Sequence, residues 1–176
     1  NEEEKIFLTD RSRIIDFQHC PRMRYWRYEF GGLGIVPINF AIPLAVGGCV
    51  HKGLEVVCQF VIKNGNRMVD EIQLDYAVQR ALMEFDEICL KRGLALDIGE
   101  DSGFVYYEQK AQIEALIRAW AMVRLPHLLL FYKILSVEIE LLMKLWQRGK
   151  LMSRPDLVMQ HLETNKIFIM SFKTAK

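Results

Sequence analysis

The chain changes character near Lys133, where a helical pattern of apolar residues gives way to strand-like sequence. Three β-prone runs follow, and turn-like segments separate them: residues 134–146, 154–162 and 166–174. The third run has apolar side chains on both faces, which is typical of a strand in the centre of a sheet. We therefore expect an α/β fold in which a small mixed sheet, beginning with an antiparallel meander, packs against the helices that precede it.

Helical periodicity divides the first part of the chain into five segments. Residues 10–30 should form two short helices that break at Pro21, with Thr9, Asp10 and Ser12 able to cap the first. The later helices are predicted over 49–63, about 69–92 and about 105–125, where Pro126 stops or kinks the last one. Residues 31–48 contain several glycines and two prolines, which predicts a loop or lid.

Composition narrows the class of protein. Of 176 residues, 51% are hydrophobic and 26% are charged, which is ordinary for a globular chain. We therefore expect one domain spanning residues 1–176. Residues 1–133 should be mainly helical, and residues 134–176 should carry the sheet. The net charge of +1 provides no general attraction to nucleic acid. No apolar run approaches the ~20 residues that cross a bilayer, so no membrane partner is expected.

Cysteine usage and the end of the chain add two expectations. The four cysteines have no metal-binding spacing, which indicates reduced thiols and a cytoplasmic protein. The third β-prone run leads directly to Lys176, so we expect a domain that is incomplete at its carboxyl end.

The meander also carries the residues that are best suited to chemistry. Asp156 stands at the head of the second run, and Ser171 and Lys173 stand near the end of the third. Residues two apart in a strand share a face, so position 171 and Lys173 should project together, as should Glu138 and Glu140 in the first run. Clustered carboxylates bind Mg²⁺, and a nearby lysine can position water, so the pattern suits phosphodiester hydrolysis.

At these residues the chain resembles the PD-(D/E)xK nuclease superfamily, in the RecB-like branch that includes CRISPR-associated RecB-like nucleases and phage recombination exonucleases. Five motifs follow the order of the family: Cys20-Pro21-Arg22, the G-x-x-H-x-x-L-E pattern of Gly48–Glu55, Val137-Glu138, Pro155-Asp156 and Ser171-Phe172-Lys173-Thr174. The resemblance implies a restriction-endonuclease-like fold and a metal-dependent nuclease that acts on DNA ends or single strands. It also implies a prokaryotic or phage-encoded protein that can work with a helicase or another protein subunit.

Carried over by position, the resemblance implies His51 and Asp156 as ligands of Mg²⁺ or Mn²⁺, Glu138 as an accessory acid and Lys173 as the catalytic lysine. Ser171 occupies the position of the family's second metal-binding acid, and a neutral hydroxyl is a poor ligand for a hard cation. An imidazole ligand favours Mn²⁺ over Mg²⁺.

The segment around the Cys-Pro-Arg element offers two further candidates. Some relatives hold an iron–sulfur cluster through one cysteine at this element, which Cys20 matches, and three more that would lie beyond residue 176. Arg22, Arg24 and Arg27 alternate with aromatic residues, a pattern that suits contact with single-stranded DNA. The same pattern also fits an amphipathic helix whose arginines lie in water.

Two other functional interpretations stay open. Ser171, whether natural or introduced, is consistent with a catalytically inactive nuclease-fold subunit that binds DNA or a protein partner. An α/β domain without a nucleic-acid role would require the five ordered matches to be coincidence. The nuclease interpretation predicts that Asp156, position 171, Lys173 and Glu138 meet at one end of the sheet, with His51 facing them.

Overall fold

The structure, a computed structural model, describes residues 7–32, 34–35, 42–91, 100–146 and 149–173. It is a mixed α/β structure. The helices are α1 (Arg11–His19), α2 (Pro21–Tyr28), α3 (Ile42–Lys63), α4 (Glu71–Lys91), α5 (Glu100–Ala119) and α6 (Leu125–Phe131). The strands are β1 (Phe7–Thr9), β2 (Tyr132–Val137), β3 (Leu141–Trp146), β4 (Gly149–Ser153), β5 (Leu157–His161) and β6 (Ile167–Met170).

The chain divides into two compact units. One takes its described residues from 1–40 and 139–154, and the other takes them from 41–138 and 155–176. The expectation of a single domain over 1–176 stays a prediction, and each unit is described by itself.

The first unit contains α1, α2 and a three-stranded sheet. Asp10 caps α1 by accepting a hydrogen bond from the Arg13 backbone N–H (2.9 Å), and Pro21 begins α2, where its missing N–H has no cost. The predicted pair of helices that separates at Pro21 is therefore confirmed. The sheet has the order β1–β4–β3, with β1 parallel to β4 and β3 antiparallel to it.

The second unit packs α3, α4 and α5 beside an antiparallel sheet. Its core contains fully buried side chains from the three helices and from β2 and β5, among them Val57, Val61, Val78, Phe85, Ile113, Ile117, Ile134 and Leu157. By length and composition, α3 is the one described helix that could cross a bilayer, and half of its most apolar stretch is buried in this unit.

Helix α3 begins earlier than the sequence suggested. The predicted loop or lid over 31–48 is wrong for residues 42–48, which belong to α3, while residues 36–41 lie outside the described part of the chain. Pro43 is tolerated in the first turn because that N–H needs no helical partner, and Val46 and Val50 extend the buried face.

Pro126 does not end the helical segment. Between α5 and α6 the residues Trp120–Arg124 form a π-helical turn, in which the Leu125 N–H donates to the Trp120 carbonyl five residues earlier. A proline in a helix lacks its own N–H and crowds the carbonyl four residues before it, and the wider turn relieves both problems. Helical structure therefore continues to Phe131.

The β-prone part forms two sheets. The predicted run 134–146 is two strands, β2 and β3, which belong to different units and are separated by residues 138–140. Strands β2, β5 and β6 form an antiparallel sheet with β5 in the middle. The prediction that the third run is a central strand is therefore wrong for the described sheet, since β6 lies at its edge.

Candidate metal centre

Three residues of the second unit bring metal-binding atoms together. One ligand atom each from His51, Glu138 and Asp156 lies within 4.8 Å of the other two. The three come from separate elements: His51 from α3, Glu138 from the end of β2, and Asp156 from the residue before β5. The sequence predicted all three, and the structure brings them to one place.

Backbone pairing explains why the two carboxylates are neighbours. Val137 pairs with Leu157, so the next antiparallel pair outward is Glu138 with Asp156, and the Glu138 N–H donates to the Asp156 carbonyl (3.1 Å). Glu138 has a φ of +48°, in the left-handed region that non-glycine residues rarely adopt. Such backbone strain is found most often at functional sites.

A side-chain contact ties α3 to the sheet. Asn66, just after α3, accepts a hydrogen bond at its Oδ1 from the backbone N–H of Ile134 in β2 (2.6 Å). This contact, together with the packing of α3 on β2, fixes the helix that carries His51 relative to the strand that ends at Glu138.

Asp156 is the centre of the cluster. Its Oδ1 lies 3.4 Å from His51 Nδ1, and its Oδ2 accepts a hydrogen bond from the Phe172 backbone N–H (2.5 Å). The Asp156 side chain is 13% exposed and that of His51 is 29% exposed. One carboxylate oxygen is therefore oriented by the backbone, which leaves the other directed at the imidazole.

Aromatic packing holds the imidazole from another side. The buried ring of Phe172 lies edge-on to His51, with centroids 5.6 Å apart, and edge-on to Trp120 at 5.4 Å. Trp120 opens the π-helical turn that precedes Pro126. The turn thus supplies a ring that supports Phe172, and Phe172 supports His51.

A cleft opens beside the cluster, and Lys173 reaches it. The cleft has a volume of about 360 Å³ and is lined by Pro43, Leu44, Gly47, Gly48, His51, Phe172 and Lys173. Lys173 is exposed to solvent, whereas Phe172 is buried. A cation and an imidazole therefore face one space that is open to a ligand.

Ser171 and Glu140 differ in where the structure places them. Ser171 stands across from Asp156 in the sheet register, because Met170 pairs with Leu157, and its side chain is exposed. Glu140 lies outside any strand and in the other unit. The expected shared face of Glu138 and Glu140 is wrong, because the left-handed backbone at Glu138 ends the strand.

The candidate donor set consists of two carboxylates and one imidazole, which are groups that can hold a divalent cation. Bonds of about 2.1 Å would place neighbouring ligand atoms about 3 Å apart and opposite ones about 4 Å apart. The separation of 3.4 Å between His51 Nδ1 and Asp156 Oδ1 is near the spacing of neighbouring ligands, whereas the 4.8 Å limit for the whole set is wider than either spacing. Two carboxylates with one imidazole suit Mn²⁺ better than Mg²⁺, which prefers oxygen alone.

The candidate DNA-binding arginines lie in the first unit. Arg24 pairs with Glu29 (2.6 Å), and Arg27 pairs with Asp16 (2.7 Å), while Arg22 is exposed. The Arg27 guanidinium holds the pKa of Asp16 below its ordinary value. Two of the three predicted arginines are therefore engaged with carboxylates of their own unit.

The cysteines differ sharply in environment. Cys20, the residue matched to an iron–sulfur ligand, is exposed. Cys49 and Cys58 are buried, and burial raises the pKa of each thiol to about 12. Burial also raises the pKa of the Cys89 thiol, so Cys20 is the cysteine suited to bind or react.

Sequence reasoning missed Asn66 and Trp120 as residues that shape the site. The Asn64-Gly65-Asn66 segment has the residue types of a helix end, but its contact with β2 depends on the tertiary fold. For Trp120, the available signal was Pro126 inside a continuing apolar helical pattern, which favours a local π-helical turn.

No family model, curated protein or solved structure matches this chain.

Proposed function

We propose that this chain is a divalent-metal-dependent nuclease of the PD-(D/E)xK type, that acts on DNA ends or single strands and has a variant of the restriction-endonuclease-like fold. The convergence of His51, Glu138 and Asp156 within 4.8 Å carries the proposal. Lys173 supports it, because it lines the same cleft as His51.

Each residue has a distinct task in this mechanism. Asp156 and His51 would hold the cation, and Glu138 would add a second negative charge that keeps a divalent ion in the site. The cation, when bound, would lower the pKa of a water and neutralise charge on the phosphate. Lys173 hydrogen-bonds the attacking water or the phosphate oxygen on which charge develops.

The cleft suits a phosphodiester. Pro43, Leu44, Gly47 and Gly48 form a wall of small or apolar residues from the start of α3, so a nucleotide can approach the helix closely. Lys173 also lines the cleft and supplies a positive charge. The global charge of +1 gives no such attraction, so the binding of an anionic strand depends on local cations.

The decisive experiment separates metal binding from cleavage. Calorimetry with Mn²⁺ should show binding to the native chain and a loss of about tenfold or more in Asp156→Asn. Cleavage of linear single-stranded DNA under single-turnover conditions should be lost in Asp156→Asn and in Lys173→Ala. Lys173→Ala should keep its Mn²⁺ affinity, because an ammonium group is not a ligand.

Matched controls come from the β5–β6 turn. Lys166 and Glu163 are exposed there, so Lys166→Ala and Glu163→Gln should leave both binding and cleavage unchanged. Full cleavage by Lys173→Ala would refute the assigned role of the lysine. Equal Mn²⁺ affinity of the native chain and Asp156→Asn would refute the metal centre.

A second function is favoured by one observation, the hydroxyl of Ser171 across from Asp156. With no carboxylate at that position, the chain can be an inactive nuclease-fold subunit that binds DNA or a protein. It would then bind single-stranded DNA without cleaving it in Mn²⁺, and Lys173→Ala would have no effect on function. DNA cleavage by the native chain excludes this alternative.

A further inference from the structure

A second cleft of the same unit lies between α3 and α4 and has a different character. Its volume is about 420 Å³, and it is lined by Lys52, Val56, Gln59, Phe60, Lys63, Tyr76 and Arg80. These described lining residues include three cations and no carboxylate, in a chain whose net charge is only +1. We refer to this cleft as the basic groove.

Two of the three cations remain available to a ligand. Lys52 is engaged by Glu55, whose carboxylate lies 2.8 Å from the Lys52 Nζ. Lys63 and Arg80 are exposed, and neither has an ion-pair partner in the described part of the chain. Their charges therefore favour an anionic occupant.

The groove also carries an aromatic surface. Phe60 and Tyr76 pack edge to face with centroids 5.9 Å apart, and Tyr76 is 53% exposed. The Lys63 Nζ lies 5.8 Å from the centre of the Phe60 ring. Exposed aromatic rings beside cations bind single-stranded nucleic acid, because the bases stack on the rings while the cations contact the phosphates.

The position of the groove relates it to the metal centre. Its α3 residues span positions 52 to 63, so they begin with the residue after His51 and extend about 16 Å along the helix at 1.5 Å per residue. A strand with one phosphate at His51 can therefore continue into the groove on the adjacent face of α3.

We propose that the basic groove binds the segment of single-stranded DNA adjacent to the phosphate held at the metal centre, with Lys63 and Arg80 on phosphates and Tyr76 under a base. This inference rests on the proposed nuclease function. It assigns strand binding to α3 and α4, whereas the sequence pointed to the arginines of α2.

Binding is tested with the metal chelated, so that no cleavage occurs. Fluorescence anisotropy with a labelled oligo-dT should show about tenfold weaker binding in Tyr76→Ala. The double variant Lys63→Ala/Arg80→Ala should also bind more weakly, and its slope of log affinity against log salt should fall by about 1.4, or 0.7 per lost phosphate contact. Tyr107→Ala and Lys91→Ala, which change exposed residues outside the groove, should bind like the native chain.

A second measurement connects the groove with the cleft. The double variant should raise the KM for cleavage of a long oligonucleotide but not for a trinucleotide that is too short to fill the groove. Thermal unfolding of each variant checks that the fold is kept, and Tyr76→Phe, which retains the ring, should restore binding.

The outcomes separate the two proposals. If both groove variants bind oligo-dT as tightly as the native chain, the proposed role of the groove is refuted. It is also refuted if inorganic polyphosphate competes as well as oligo-dT and Tyr76→Ala has no effect on binding. An equal rise in KM for the long and the short substrate overturns its connection with the metal centre. If no form of the chain cleaves DNA but binding still depends on the groove, the nuclease function fails and a DNA-binding surface remains.

Discussion

The packing of α3 at Gly53 provides a quantitative test of how His51 is held in place. A Cβ atom at position 53 would lie 2.2 Å from Ile117 Cδ1, 2.9 Å from its Cγ1 and 3.3 Å from the Cβ of Ala81. Ile117 and Ala81 are both fully buried. Carbon atoms pack best at about 3.5–4.0 Å, so alanine at this position must displace Ile117 or separate the helices.

The expected cost follows from two opposing effects. Overpacking of a core costs about 1–3 kcal/mol, and an overlap above 1 Å belongs near the upper end of that range. Alanine recovers about 1 kcal/mol over glycine in a helix interior. We therefore expect Gly53→Ala to lower the free energy of unfolding by about 2 kcal/mol.

Gly48 provides the matched control in the same helix. A Cβ there would meet nothing within 4 Å, so Gly48→Ala should raise the free energy of unfolding by about 1 kcal/mol. Urea unfolding of both variants measures the difference of about 3 kcal/mol between two identical chemical changes. Calorimetry with Mn²⁺ should show weaker binding in Gly53→Ala, because displaced helices move His51 away from Asp156.

A double-mutant cycle identifies the cause. Ile117→Val removes the Cδ1 atom that makes the shortest contact and itself costs about 0.5–1.5 kcal/mol. In this background the larger part of the Gly53→Ala penalty should disappear. Equal stability of Gly48→Ala and Gly53→Ala, or an unchanged penalty in the Ile117→Val background, would refute the close approach of α3 to α5.

Three further predictions concern position 171, the thiols and the first unit. Ser171→Asp should raise the calorimetric affinity for Mn²⁺ by adding charge and an oxygen ligand across from Asp156, whereas equal affinities would exclude position 171 from the site. A thiol reagent should modify only Cys20 quickly in the folded chain, because the other three cysteines are buried, and all four should react in denaturant. The pKa of Asp16 is lowered in the fold, so its ionised form stabilises the first unit above the ordinary value of 3.8, and that contribution is lost as pH falls through the lower folded value. Asp16→Asn should thus reduce the melting temperature at neutral pH, and the difference from the native chain should shrink below pH 3.8.

Local sequence signals predicted helix boundaries well where interactions between neighbouring residues determine those boundaries. The cap at Asp10 and the break at Pro21 both act within one helical turn, and α1 and α2 follow them. Helix α4 ends at Lys91, within one residue of the predicted end. In each case the start or the stop depends on backbone hydrogen bonds of neighbouring residues, which sequence alone specifies.

The wrong predictions concern segments whose secondary structure depends on tertiary packing. Residues 42–48 contain Pro43 and two glycines, which favour a loop locally, but burial of Val46 and Val50 extends α3 through them. In the β-prone part, residues 134–146 are one β-prone run, so the sequence does not indicate the break between β2 and β3. No periodicity reveals that β3 pairs with β4 in a different unit from β2.

The geometry of the candidate site depends both on local strand patterns and on tertiary contacts. Strand alternation and the β5–β6 turn were enough to predict that Asp156 and the residues around 171–173 are neighbours, and the register confirms this. The approach of His51 was implied only by the resemblance, because a helix more than 80 residues earlier in the chain leaves no local signal of its contact with a strand.

The end of β2 at Glu138 accounts for one wrong prediction, the shared face of Glu138 and Glu140, and for one confirmed prediction, the meeting of Glu138 with Asp156. The left-handed backbone ends β2 there, which splits the predicted first strand, and Glu140 belongs to the other unit. The same residue keeps its N–H bonded to the Asp156 carbonyl, so its side chain leaves the sheet beside Asp156. A regular strand would have satisfied the pattern of alternation and would have carried Glu140 along the same face. The left-handed residue therefore breaks the regular alternation and contributes one carboxylate to the cluster with His51 and Asp156.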